Sequence, residues 1–174
     1  MQRALVMTVI GQDRPGLVET VANLVTEHGG NWLESRMARL GGQFAGILRV
    51  QLPVDKEGGL LRALQGLQER GLTITAHPDT APVPLASAKV YDLELMGQDR
   101  PGIVREISGA LADFGVNVEE LETECGSAAM SGETLFKAHA RLSIPAEADL
   151  NAIRQTLERI AADLIVEITL AQAE

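Results

Sequence analysis

The chain has a single cysteine, Cys125, one tryptophan, one tyrosine and three phenylalanines among its 174 residues. One thiol excludes an internal disulfide framework and a cysteine-based metal site, and leaves Cys125 to be read as a quiet, partly buried thiol. The three histidines, His28, His77 and His139, lack metal-ligand spacing, so neither metal nor other cofactor is expected. With 3% aromatic residues but 45% hydrophobic ones, any core must be aliphatic. No apolar run approaches the roughly 18 to 20 residues that a membrane span requires. Met1-Gln2-Arg3 leads into a strand-like run rather than a signal sequence, which fits a cytoplasmic protein with no membrane partner. Excess positive charge is missing too. Residues 1–85 carry 8 Lys and Arg against 8 Asp and Glu, while residues 86–174 carry 7 against 16, so the whole net charge of −9 belongs to the second half. An acidic chain without a basic, aromatic-studded patch repels phosphate backbones, which excludes direct nucleic-acid binding.

What the sequence does contain is a repeat. Gly-Gln-Asp-Arg-Pro-Gly occurs at Gly11–Gly16 and again at Gly97–Gly102, a period of 86 residues. Gly11–Asn31 and Gly97–Asn117 align without gaps, sharing Val18 with Val104, Gly29 with Gly115 and Asn31 with Asn117. The period suits a small domain rather than a solenoid unit. Residues 1–78 are therefore expected to form a first domain, 79–88 a proline-rich, semi-extended linker, and 89–174 a second domain.

Each repeat reads βαββαβ. In the first, Ala4–Ile10 is a strand stopping at Gly11, and Pro15 suits the first turn of a helix. That helix places Leu17, Val18, Val21, Leu24 and Val25 on one face and closes at Gly29-Gly30. Asn31–Leu40 and Gln43–Leu52 make a hairpin at Gly41-Gly42. Leu60, Leu61, Leu64 and Leu67 mark a second helix ending at Gly71, and Leu72–Ala76 is the last strand. The second repeat follows suit: a strand at Lys89–Met96, a helix on Ile103, Val104, Ile107, Leu111 and Phe114, and strands near Asn117–Cys125 and Thr134–Ile144. A helix on Ile153, Leu157 and Ile160 and a strand at Leu164–Leu170 complete it. Phe44, Arg49 and Pro53 return as Phe136, Arg141 and Pro145, 92 residues on, so this hairpin holds six extra residues around Gly126–Gly132, a small-residue loop expected to be mobile. The predicted class is α+β, two ferredoxin-like domains, each an antiparallel sheet with helices on one face and its second strand at an edge. Exposed edges are places where another sheet can add, which points to a homo-oligomer.

Function would sit at the repeated turn. A strand end meeting a helix start gathers free N–H groups and the positive end of the helix dipole, which receives a carboxylate. Gly16 and Gly102 let a ligand approach, Asp13 and Asp99 suit an ammonium group, and Asn31 and Asn117 offer amides that donate and accept. Together they fit a small α-amino acid. A purely structural alternative has Asp capping the helix, Pro starting it and Gly completing the turn. The candidate ligand residues are Gly11, Gln12, Asp13, Gly16, Leu17 and Asn31, with Gly97, Gln98, Asp99, Gly102, Ile103 and Asn117. No nucleophile–base set or phosphate loop can be assembled, so no enzyme activity is expected. Among Glu119, Glu120, Glu122 and Glu124, the last three share a strand face and read as a solvated edge rather than a metal site. Trp32 is expected to anchor a core or interface, and His28 to be a surface residue suited to a helix C-terminus.

A βαββαβ unit with Asp-Arg-Pro-Gly after its first strand and Gly-x-Asn before its second resembles the ACT domain, an amino-acid-sensing module. In serine-sensing members the turn reads Asn-Arg-Pro-Gly, and that Asn and a second-strand Asn hold the effector. Asp13 and Asn31, and Asp99 and Asn117, match those positions, with Asp replacing the turn Asn and Gly11 and Gly97 standing where the serine site has a His. Two such repeats filling one chain resemble ACT regulators of glycine cleavage genes. That resemblance implies a glycine-responsive repressor acting on a protein partner, a DNA-bound transcriptional activator. The acidic second repeat would offer such a partner its surface. The alternative is a free-standing ACT subunit that controls an amino-acid biosynthetic enzyme.

Overall fold

The computed structural model describes residues 1–80, 88–127 and 133–173, and its contacts divide the chain into two compact units, Met1–Pro82 and Val83–Glu174. The first unit contains β1 (Gln2–Gln12), α1 (Leu17–Glu27), β2 (Asn31–Leu40), β3 (Gln43–Pro53), α2 (Val54–Gln65), a 3-10 turn (Gly66–Arg70) and β4 (Leu72–Pro78). The second contains β5 (Lys89–Gln98), α3 (Ile103–Asp113), β6 (Asn117–Ser127), β7 (Thr134–Ile144), α4 (Leu150–Leu164) and β8 (Val166–Gln172). The sheets are antiparallel, in the orders β2-β3-β1-β4 and β6-β7-β5-β8, so the second strand of each repeat lies at an edge as its charges imply.

Alternation builds each core. Leu5, Met7 and Val9 of β1 and Leu48, Val50 and Leu52 of β3 point to one side of the sheet. There they meet Leu17, Val21 and Val25 of α1 and Leu60 and Leu64 of α2. In the second unit Leu93, Leu95, Leu142 and Ile144 meet Ile103, Ile107, Leu111, Ile153 and Leu157. Each fully buried aliphatic side chain contributes roughly 1.5–3 kcal/mol. The hairpin at Gly41-Gly42 has φ of +57° and +77°, the doubly left-handed turn that glycine permits and that matches strand twist.

Several local expectations change. β1 does not stop at Gly11, because Gly11 and Gln12 still pair with Phe44 and Gln43. The first helix starts at Leu17, two residues after Pro15, and Val18 and Val104 face solvent at 47% and 44% exposure instead of joining the cores. Leu67 lies in the 3-10 turn rather than the second helix. α4 runs through Leu164 and turns at Ile165 (φ +56°), so the last strand begins at Val166. Cys125 is exposed, because β6 is an edge strand that no helix covers there. Gly126 and Ser127 belong to β6, while residues 128–132 of the expected loop and 81–87 of the expected linker lie outside the described residues. Among the described residues no helix is long and apolar enough to cross a membrane, and no cluster of metal-ligating side chains occurs.

Candidate functional site

The repeated hexapeptide folds the same way twice. Gly16 (φ +88°) and Gly102 (φ +95°) are the N-cap residues of α1 and α3, both left-handed and neither providing a side-chain cap. A methyl group at either would meet nothing within 4 Å, so these glycines answer a backbone demand and leave the helix start open. The aspartates do not cap. Their backbone N–H groups tie the turn to the hairpin, Asp13 to the Gly42 carbonyl and Asp99 to the Thr134 carbonyl, each at 2.9 Å. The Asp13 carboxylate lies 3.5 Å from Arg39, an exposed pair, and no described residue partners the Asp99 side chain. α4 shows the contrasting solution. There Asp149 accepts from the N–H groups of Asn151 and Ala152, closing the helix start with a side chain.

Gly11 and Gly97 have another reason to be glycine. A methyl at 11 would stand 2.7 Å from the Gly71 carbonyl oxygen, and one at 97 would stand 2.5 Å from Cγ1 of Val166. Close approach of the neighbouring strand demands both, whatever binds nearby. Around the first turn, Asp13, Arg14, Gly16, Leu17, Val18 and Phe44 line a hollow of about 280 Å³.

Asn31 and Asn117 are not beside these turns within a unit. Asn31 pairs with Gln51, which pairs with Ala4, nine residues up β1 from Asp13 and roughly 30 Å away at strand spacing. Asn117, opposite Ser143, holds the same place in the second unit. The sequence spacing of 18 residues hides this separation, because the helix between them returns the chain to the far end of the sheet. Trp32 is half-buried against the first core, and His28 ends α1 with its ring Nδ1 2.8 Å from the Leu24 carbonyl.

A second feature lies on the face of the β5–β8 sheet away from the helices. Asp92, Glu94, Glu120, Glu122, Glu124 and Glu167 flank a central line of Lys137, His139 and Arg141. Lys137 meets Glu124 at 3.5 Å beside a depression of about 560 Å³, and Arg141 meets Asp92 at 3.7 Å farther along the same face. The equivalent first-unit positions for Asp92, Glu94, Glu122 and Glu124 are Val6, Thr8, Arg36 and Ala38. The first unit folds without those carboxylates, so the scaffold does not require them.

Family comparison accounts for both units. Models of the ACT domain match residues 3–77 and 91–162. The chain belongs to the ACT-domain family. This ACT protein is 27% identical over 169 residues to the glycine cleavage system transcriptional repressor of Escherichia coli (strain K12), covering 94% of its own length and 86% of that protein. It superimposes on a protein of unknown function from Galdieria sulphuraria with a TM-score of 0.86 at 30% identity, covering both chains fully. It also shares its fold with a structure provisionally assigned as a glycine cleavage system transcriptional repressor, at TM-score 0.69, 18% identity and coverage of 100% and 99%. Similarity to a named regulator across nearly the whole ACT protein supports a regulatory role.

Proposed function

We propose that this ACT protein is a non-enzymatic, cytoplasmic amino-acid sensor that responds to glycine and represses glycine cleavage genes through a protein partner. The observation carrying the reading is the pair of uncapped helix starts. In each, the first-turn N–H groups have no side-chain partner, a left-handed glycine keeps the approach open, and an aspartate stands alongside. Amides and helix dipole suit the carboxylate of a zwitterion, and the aspartate suits its ammonium. Gly11, Gln12, Asp13, Gly16 and Leu17, and Gly97, Gln98, Asp99, Gly102 and Ile103, form the two candidate sites. Similarity to a repressor of the glycine cleavage system favours glycine and a transcriptional activator as partner.

Asn31 joins such a site only if edge strands pair between copies. β2 ends at Leu40 at the same end of the sheet as Asp13, so an antiparallel β2 from a second copy would set its Asn31 near that turn. Such pairing can place Glu34 opposite Arg36. A β6 pair would instead set Glu120, Glu122 and Glu124 against one another, and directly opposed like charges destabilise. The homo-oligomer therefore forms through β2, and Asn117 lies outside the ligand contacts. The acidic face of the second unit remains for a basic partner, and its charge opposes DNA.

The test is to titrate the labelled protein with glycine and follow the amides of Gly11–Leu17 and Gly97–Ile103. Perturbation there at millimolar glycine supports the reading, and silence at both turns ends it. A gel shift of operator DNA by this chain alone at physiological salt would exclude the partner-borne mechanism.

A further inference from the structure

The side of the first sheet that no helix covers carries little charge for a surface left to water. Residues between the core positions of each strand point to that side. At its middle Ala38, Ala45 and Ile10 lie next to one another across β2, β3 and β1, and in the adjoining row Ile47 lies beside Thr8, which lies beside Thr75 of β4. Ile10 and Ile47 are each 50% exposed, and Leu40, at the end of β2 on the same side, is 83% exposed. An antiparallel sheet with one face in water alternates apolar residues inside with polar ones outside, and the outer side of these strands departs from that rule.

The second unit keeps the rule. By register, Ala38, Ala45 and Ile10 correspond to Glu124, Lys137 and Met96, and Thr8 and Ile47 to Glu94 and His139. The same scaffold thus bears titratable groups at four of these five positions, so the fold does not demand the aliphatic residues of the first unit. A contiguous apolar patch that the fold does not require marks a contact.

Charge and area identify what covers it. Glu34 and Asp79 balance Arg36 and Arg49 on and beside this face, with Arg49 donating to Asp79 at 2.6 Å. Two copies of a balanced face meet without repulsion, and a strongly charged partner finds no field to draw it there. The corresponding face of the second unit, with six carboxylates against Lys137 and Arg141, would repel its own copy. Four strands about 4.8 Å apart, averaging about ten residues at about 3.4 Å each, make a face of about 600 Å². Two such faces bury about 1,200 Å², which reaches the range of specific, stable interfaces.

We propose that the open face of the first sheet packs against the same face of a second copy, in a two-fold contact centred on Ile10, Ala45 and Ile47. This contact joins faces and leaves the β2 edges available for the pairing described above. With both formed, the assembly has twice the mass that either gives alone.

Sedimentation velocity on the full-length protein over a concentration series tests this. Ile47→Glu enters a two-fold contact twice, and losing a half-exposed isoleucine costs about tenfold each time, so association at this face should weaken about 100-fold and the mass of the assembly should halve. The double variant Val6→Asp, Ala38→Glu should act in the same direction. It installs the residue types that the second unit carries at Asp92 and Glu124 on the same scaffold, so it decides the matter if Ile47→Glu fails to fold. Met96→Glu, on the open face of the second unit, should leave the mass unchanged. A parent protein that is monomeric at every concentration would overturn both this contact and the β2 pairing. A parent mass retained by either folded first-unit variant would overturn the face contact alone and leave edge pairing standing. Dissociation by Met96→Glu to the same extent would overturn it too, by moving the contact to the other unit.

Discussion

Replacing the two glycines of the second hexapeptide, Gly97→Ala and Gly102→Ala, separates packing from backbone conformation. At position 97 the added methyl would stand 2.5 Å from Cγ1, 2.8 Å from Cα and 2.9 Å from Cβ of Val166. No rotamer change relieves a clash with Cα, so β8 must move. That strand pairs with β5 from Tyr91 opposite Gln172 to Gly97 opposite Val166, and Val166 and Leu170 are part of the core it would lift. Overpacking of this kind costs about 1–3 kcal/mol, and the backbone contact places Gly97→Ala near 2 kcal/mol. At position 102 the methyl meets nothing, and the cost is the left-handed penalty at φ +95°, about 1–2 kcal/mol. For a unit of this size 1 kcal/mol moves Tm by roughly 4–8 °C, so Gly97→Ala should lower the second unit's Tm by about 8–16 °C. Differential scanning calorimetry provides the measurement, extended to a double-mutant cycle with Val166→Ala. Removing Cγ1 relieves the nearest contact, so the double variant should be more stable than the sum of the single losses predicts. The same cycle around Gly102→Ala should be additive. A Gly97→Ala protein melting within 2 °C of the parent, or an additive cycle with Val166→Ala, would refute the packing origin of that glycine.

Asp149→Ala should destabilise the second unit by about 1 kcal/mol, because it removes the carboxylate that accepts from Asn151 and Ala152; thermal denaturation reads this directly. Asp99→Ala, which breaks no cap, should change stability by less than about 0.5 kcal/mol while weakening amino-acid binding in calorimetric titration. A stability loss above 1 kcal/mol would return Asp99 to a structural role. Neutralising Glu120, Glu122 and Glu124 together to glutamine should slow association with a basic partner more than it speeds dissociation, an effect that stopped-flow measurements should see fade as salt rises. A complex insensitive to salt would place the contact elsewhere.

The repeated βαββαβ order and both edge strands were legible because hydrophobic period and glycine position agree at most elements. Gly41-Gly42 and Gly71 end their elements where left-handed angles are observed. Boundaries failed where tertiary pairing extended a strand past a local stop, as at Gly11, or where the helix ran on to Ile165, a residue with no sequence sign of a left-handed turn. The outward aim of Val18 and Val104 was hidden because a helical stripe read from one sequence does not show where the sheet beneath it ends. The turn was legible as a motif, but its chemistry was not. Asp13 and Asp99 have the residue type of a cap but do not cap their helices, and the distance from Asp13 to Asn31 follows from topology rather than spacing.

The bulges in the edge strands bear on how this chain can change its length. Trp32 and Glu34 pair with consecutive residues of β3, and Val118 and Glu120 with consecutive residues of β7, so Leu33 and Glu119 are surplus to the ladder. Elsewhere in a strand the loss of one residue slips the register and turns every later side chain to the opposite face. Losing Leu33 or Glu119 would merely convert a bulge into regular strand, keeping Trp32 and Val118 toward the helices and the carboxylates of β6 toward solvent. Each edge strand therefore carries one position at which a codon can be deleted without reversing the sheet, and relatives one residue shorter should have their gap there.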